Sequence, residues 1–294
     1  ITATKHLTTG CWFDGKHKQS QNQKEEMNMS EQMEKQMKEK CEGALDEYLD
    51  EFREGTIRYQ LNLIFLLDVS GSMYGESINQ LNVAMAEAVQ VAEEAAKEKE
   101  VRLNMRVIQF DSGAKYIIGA QEHGVEHIDW NPLTAQGTTN TAAALDLAAG
   151  VMHRKYLGVR NYRPVVILVT DGLSNEPQKT QDAVTRLKNS QKSATEPNKD
   201  KIMRIAIGVK GANESELRGF ASIGNIEHED ETMEENVPLV FKVDEVAKLK
   251  GLLRNLTVSS ILSSLTGGTD GNKADDVPTI SLAVDDGGED DWEE

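Results

Sequence analysis

Three short segments of this 294-residue chain are dense in oxygen donors and carry no nitrogen or sulfur ligands. Asp68-Val69-Ser70-Gly71-Ser72 sets one carboxylate and two hydroxyls at alternate positions. Gly137-Thr138-Thr139-Asn140-Thr141 is a run of hydroxyls and an amide behind a glycine, and Thr170-Asp171-Gly172 supplies a second carboxylate. Oxygen donors alone suit a hard divalent cation, above all Mg2+, which takes a few protein oxygens and keeps part of its water. Mn2+ and Ca2+ are the alternatives on the same donor chemistry. Gly71 and Gly172 are expected to let the backbone turn tightly beside the ion. Two carboxylates roughly neutralise such a cation and hydroxyls add no charge, so an open position would favour a further anion. Each segment also has a plain structural reading. Ser70 and Ser72 would cap a helix opening near Gly75, the threonines would cap another, and the aspartates would merely end strands.

Bringing the segments together takes a sheet. Leu61–Asp68 (LNLIFLLD) and Pro164–Asp171 (PVVILVTD) are nearly continuous apolar runs that end in an acid, the pattern of strands buried on both faces. Glu76–Lys97 and Thr141–Val151 have helical spacing; Val101–Phe110 alternates as a strand, and Asp111-Ser112-Gly113 turns into Lys115–Gly119. Ala183–Ser190, Glu214–Ala221 and Asp244–Ser260 read as helices, Ile202–Val209 and Leu239–Val243 as strands. This alternation predicts an α/β domain over residues 56–265, a doubly wound, mostly parallel sheet with helices on both faces. Ligands of such sheets sit beyond the carboxyl ends of the strands, where strand order reverses. Asp68 and Asp171 both fall there.

DxSxS after one buried strand, GTTNT before a helix and TDG after a second buried strand together resemble the von Willebrand factor type A domain. The resemblance covers about Ile57–Ser264 and implies a Rossmann-like fold. It also implies a metal-ion-dependent adhesion site, with Asp68, Ser70 and Ser72 in its first loop, Thr139 in its second and Asp171 in its third. Thr139 is preferred to Thr138 because the family threonine stands two after the loop glycine and two before another Thr, as between Gly137 and Thr141. By the same resemblance the three hydroxyls touch the ion, the aspartates act directly or through water, and the open position takes a partner's Asp or Glu. The function implied is a metal-dependent protein–protein interaction module or scaffold. Ile64–Ile78 (IFLLDVSGSMYGESI) is similar to the prokaryotic, cytosolic tellurium-resistance-associated branch. That branch implies a cytoplasmic protein working with a Ser/Thr kinase and a PP2C-type phosphatase in stress response or phage defence. A chelatase-like role beside an AAA+ ATPase is the alternative.

An enzyme is not expected. A magnesium-dependent phosphotransferase using Asp68 as nucleophile needs a second acid two residues on, where Ser70 stands. Neither a phosphate-binding GxxxxGK[ST] loop nor a GxSxG elbow occurs. His123 and His127, four apart, lack a third ligand and read as part of a turn region. A net charge of −17 disfavours nucleic acid as a partner. No apolar run approaches the ~18 residues of a membrane span, and ITATKHLTTG shows no secretory signal. Cys11 and Cys41 read as reduced thiols.

The ends read differently from the middle. Residues 1–55 form an extension in which Met29, Met33, Met37 and Cys41 make the stripe of an amphipathic helix, to be laid on the chain's own body or in a partner's groove. Residues 266–294 hold ten acids and one lysine, more than half of the excess negative charge, and read as a flexible acidic tail. The sharper reading is a docking peptide anchored by Ile280, Leu282 or Trp292, or one that offers its own carboxylate to the metal. Val277–Val284 reads weakly as a strand inside it. Thr257–Thr266 (TVSSILSSLT) reads as a helix end leading into a linker, or else as a phosphorylation target.

Overall fold

The computed structural model describes residues 59–119, 128–153, 161–191, 201–228, 230, 232–266 and 277–282. All of them belong to one unit, Arg58–Glu294. The expected N-terminal helix, the two cysteines, His123, His127 and Trp292 lie outside the described residues.

Strands β1 (Gln60–Asp68), β2 (Arg102–Phe110), β3 (Ala114–Ile118), β4 (Val165–Thr170), β5 (Met203–Val209) and β8 (Val240–Val243) make a six-stranded sheet, ordered β3-β2-β1-β4-β5-β8. Every neighbouring pair is parallel except β2 with β3. Among the described residues five α-helices accompany it: α1 (Glu76–Glu98), α2 (Thr141–Val151), α3 (Pro177–Ser190), α4 (Glu214–Phe220) and α5 (Leu249–Thr266). Along β1 the side chains alternate between two cores, as the two-residue period of a strand demands. Leu61, Leu63, Phe65 and Leu67 pack with Leu81, Met85 and Val89 of α1 and with Leu249, Leu253 and Leu256 of α5. Ile64 and Leu66 pack with Leu145 of α2, Leu187 of α3 and Leu217 of α4. This is the doubly wound architecture expected, and it explains why β1 and β4 are apolar throughout: both faces are covered.

A second sheet was not expected. β6 (Ile223–Glu227) pairs antiparallel with β7 (Met233–Pro238) and parallel with β9 (Thr279–Ser281). β7 reads MEENVP and is mostly exposed, so it carries no apolar alternation for a sequence reading to find. β9 corrects the expectation that residues 266–294 form only a flexible tail. Ile280 is fully buried, and Ser281 N donates to Ser259 Oγ of α5 at 2.7 Å. The packed framework therefore continues to Leu282, and the weak strand signal inside Val277–Val284 contains a real strand.

The Ser/Thr run of α5 is structural. Thr257, Ser259, Ser260 and Ser264 are buried. Thr257 Oγ1 donates to Leu253 O at 2.7 Å and Ser260 Oγ to Thr257 O at 2.9 Å. Ser264 Oγ donates to Arg163 O, fixing the end of α5 against the segment before β4. These four hydroxyls are committed inside the fold, which removes them as phosphorylation targets.

Among the described residues no helix is long and apolar enough to cross a membrane.

Candidate metal centre

Because β1, β2 and β4 are parallel and adjacent, their carboxyl ends lie along one edge of the sheet. β1 connects through α1 to β2 on one side, while β4 connects through α3 to β5 on the other. The chain therefore diverges between β1 and β4, leaving the crevice where doubly wound sheets take ligands.

Register sets the floor of this crevice. Leu67 faces Val169 across the β1–β4 pair, so the next residues, Asp68 and Thr170, stand side by side. Asp68 is fully buried, and both its oxygens are held by protein donors. Ser70 N donates to Oδ1 at 2.8 Å, and Thr170 Oγ1 donates to Oδ2 at 2.6 Å. Thr170 Oγ1 in turn accepts from Gly172 N at 3.2 Å, tying the third loop to the same carboxylate.

Above this floor runs a line of hydroxyls. Ser70 Oγ and Ser72 Oγ are 3.0 Å apart, and Ser72 Oγ donates to Asp171 Oδ1 at 2.7 Å. Ser72 has only one proton to give, so Ser70 is the donor in the first of these contacts. A Cβ added to Gly172 would lie 3.7 Å from Ser72 Oγ and 3.8 Å from Thr139 Oγ1, so these two hydroxyls flank one small space. Asp68, Ser70 and Thr139 are buried, Asp171 is half-buried and Ser72 is exposed. The group thus deepens inward and opens to solvent on the Ser72 side.

The helix-capping readings of the serines and threonines fail here. Helix α1 starts at Gly75 with no side-chain cap, and neither serine bonds to its amides. Helix α2 is capped by Asn140, whose side chain accepts from Ala143 N at 3.2 Å, not by a threonine. Thr138 is turned away: its Oγ1 donates to Ser112 Oγ at 3.2 Å in the β2–β3 turn. Thr139 Oγ1 instead lies beside the space at Gly172 that Ser72 Oγ also borders.

Main-chain hydrogen bonds hold the three loops in place. Gly71 N donates to Gly137 O at 3.0 Å and Gln136 N to Val69 O at 2.7 Å, joining the first loop to the second. Asn175 N donates to Thr139 O at 3.0 Å, joining the second to the third. Asn140 N donates to Asp111 O at 2.7 Å, so the second loop also leans on the β2–β3 turn. The expectation about glycines needs correction. Neither Gly71 nor Gly172 has positive φ; Gly137 does, at +72°. Gly71 serves close approach instead, since a Cβ there would come 3.2 Å from Gly137 O.

Three contributors do not stand out in the sequence. Thr170 reads only as part of TDG, although its place opposite the last residue of β1 follows from aligning the two apolar runs. Asp111 and Ser112 read as a turn, yet that turn ends a strand parallel to β1 and so falls at the same edge. Thr170→Val keeps the side-chain shape and removes the hydroxyl that orients Asp68. It is expected to weaken Mg2+ binding about tenfold, the lower end of the range for groups that orient ligands. Calorimetric titration with Mg2+ checks this, and affinity equal to wild type would remove Thr170 from the site.

The electrostatics lean toward a cation. Burial pushes the Asp68 carboxyl up, against the hydrogen bonds from Ser70 and Thr170, and neighbouring Asp171 adds to the rise. Burial also raises Asp171, opposed by the Ser72 hydrogen bond and by the Lys210 ammonium. Two carboxylates with their charge disfavoured and, among the described residues, no basic side chain hydrogen-bonded to either form a site that a divalent ion would relieve. Among the described residues no three His, Cys, Asp or Glu side chains gather into a metal cluster. The donor set is two carboxylates and three hydroxyls, which fits a hard cation with part of its water retained.

The profile of the von Willebrand factor type A domain matches residues 62–253. The chain belongs to that family. Solved structures agree on the fold. The VWA-domain chain is 16% identical to von Willebrand factor type A from Catenulispora acidiphila, with a TM-score of 0.50 over 69% of this chain and 43% of the other. It is 12% identical to the pilus adhesin SpaC of Lactobacillus rhamnosus GG in its open conformation, with a TM-score of 0.51 over 69% of this chain and 30% of the adhesin. A further match is proximal thread matrix protein 1 of the mussel byssus with a zinc-occupied MIDAS motif. It aligns at 21% identity and a TM-score of 0.42, over 69% and 48% of the two chains. The chain spans less than half the length of these structures. No curated protein matches it. VWA domains are known as metal-dependent protein-interaction modules.

Proposed function

We propose that this VWA domain binds a protein partner through a divalent cation, Mg2+ by its donor chemistry, held by Asp68, Ser70, Ser72, Thr139 and Asp171. The observation that supports it most is the convergence of hydroxyls from two loops around the Gly172 space, beside two buried or half-buried carboxylates and free of capping duties. When bound, the ion supplies an electrophilic position for an acidic side chain of the partner. Ser72, the exposed member of the set, marks the side from which that side chain would approach. Asp68 and Thr170 stay below, orienting the donors.

We infer no enzymatic step: Ser70 occupies the position where a phosphotransferase would need its acid. The finer reading rests on the similarity of Ile64–Ile78 to the tellurium-resistance-associated branch. It makes the module a cytoplasmic scaffold for a Ser/Thr kinase and a PP2C-type phosphatase, in stress response or phage defence. An AAA+ ATPase partner is the alternative.

The test is capture of partners on the immobilised full chain in Mg2+ and in EDTA, with Asp68→Ala alongside. A partner lost both in EDTA and with Asp68→Ala is expected. A partner retained in both overturns the metal-dependent reading. Phosphate release that disappears with Asp68→Ala would restore the enzymatic one.

A further inference from the structure

Seven large apolar side chains are exposed among the described residues, and two of them sit on the metal-bearing loops. Tyr74, two residues after Ser72, is 81% exposed, the most of all seven. Leu173, two residues after Asp171, is 54% exposed. Two residues of chain span at most about 7 Å, and Ser72 and Asp171 are bonded to each other. Each of these apolar residues is therefore anchored within about 7 Å of one member of that bonded pair. Isolated exposed apolar residues are ordinary, but a pair bracketing a polar centre resembles the apolar contacts beside an interface anchor.

Neither side chain is on a loose segment. Tyr74 N donates to Gly71 O at 3.2 Å, and the preceding Met73 is fully buried. Leu173 is followed by buried Ser174, whose N donates to Glu216 Oε2 at 3.0 Å and whose Oγ accepts from Thr180 Oγ1 at 2.8 Å. Posts fixed in this way lose little freedom when a partner arrives. No hydrogen bond holds the Tyr74 hydroxyl among the described residues. The third rim feature is Lys210, whose charge reaches Asp171 and whose only ion pair among the described residues is a loose one with Glu76, at 3.6 Å. A half-exposed ammonium beside the site adds attraction for an incoming anion.

We propose that Tyr74 and Leu173 are the specificity-determining contacts of the metal site, selecting a partner segment in which the metal-bound Asp or Glu has apolar neighbours. An acid set in a polar stretch would leave both posts in water. An acid flanked by aliphatic side chains covers them and shuts water out of the polar contact beneath. This rests on the metal-dependent reading above and adds the chemistry of the partner.

The probes are two labelled synthetic peptides with a central Glu, flanked by Leu in one and by Ser in the other. Their binding to the full chain in saturating Mg2+ is read by fluorescence anisotropy, beside the double substitution Tyr74→Ser with Leu173→Ser. The Leu-flanked peptide is expected to bind wild type about tenfold more tightly, as for loss of an apolar hot spot. In the double variant that preference should collapse while calorimetric Mg2+ affinity is unchanged. Equal affinities on wild type, no binding of either peptide by the Mg2+-loaded chain, or a preference that survives the double substitution each overturns the inference while leaving the metal site standing. Weakened Mg2+ affinity in the double variant would make the two residues loop supports and overturn it as well. A wild-type chain that takes up no Mg2+ overturns the metal-dependent reading itself, and this inference with it.

Discussion

Asp68→Asn is expected to leave the metal-free protein at least as stable as wild type while abolishing its stabilisation by Mg2+. Burial raises the folded-state pKa of Asp68, so ionisation at neutral pH is less favourable in the folded chain than in the unfolded one. Removing the charge removes that cost. The amide also fits the bonds already there. Its oxygen accepts from Ser70 N as the carboxylate does, and its NH2 faces Thr170 Oγ1. That hydroxyl can rotate its proton to Gly172 O, 3.4 Å away. Wild type with Mg2+ at 100 times Kd gains about 2.7 kcal/mol, which for a domain of this size raises Tm by about 5–10 °C. The variant should show no rise, because a neutral oxygen cannot replace half of the negative charge facing the ion. Thermal unfolding followed by circular dichroism, with and without Mg2+, reads both effects. A full Mg2+ shift in the variant, or a metal-free variant well below wild type, would refute this account of Asp68.

Gly137→Ala should cost both stability and metal binding. A left-handed backbone at φ +72° is strained for any residue with a Cβ, by about 1–2 kcal/mol. The new methyl would also come 2.7 Å from Ser112 Oγ and 3.3 Å from Asp111 Cβ and Ser112 N. Overpacking of this kind adds about 1–3 kcal/mol. Together the two lower Tm by about 5–15 °C at the sensitivity of a domain this size. Because Ser112 holds Thr138, and Gly137 O accepts from Gly71 N, the displacement passes to Thr139 on one side and to Ser70 and Ser72 on the other. Mg2+ affinity should therefore fall well beyond what Thr170→Val causes. A variant with unchanged Tm and unchanged affinity would mean that the second loop tolerates rearrangement.

The legible parts of the fold were those where burial on two faces leaves a compositional mark. β1 and β4 are apolar at consecutive positions and end in acids, so their strand nature and the place of Asp68 and Asp171 could be read directly. Helix α1 has a clean apolar stripe and starts where the spacing expects. Helix α3 begins at Pro177, six residues before the apolar spacing at Ala183 suggests, because its first turns are polar and lie on the surface. The small sheet is barely legible for the same reason: β7 is mostly exposed and leaves no apolar mark, and β9, only three residues long inside an acidic stretch, shows only as the weak strand signal of Val277–Val284. In the site, the motif residues come together because strand ends converge. Their supports, Thr170, Asp111 and Ser112, show only once strand order and register are known.

The stitches between the loops, Gly71 to Gly137, Gln136 to Val69 and Asn175 to Thr139, are made by backbone groups. The platform under the proposed metal site is thus largely indifferent to the identity of the side chains that project from its rim. Retargeting such a module, by drift or by directed evolution, would need changes at a few outward positions and none in the scaffolding beneath them.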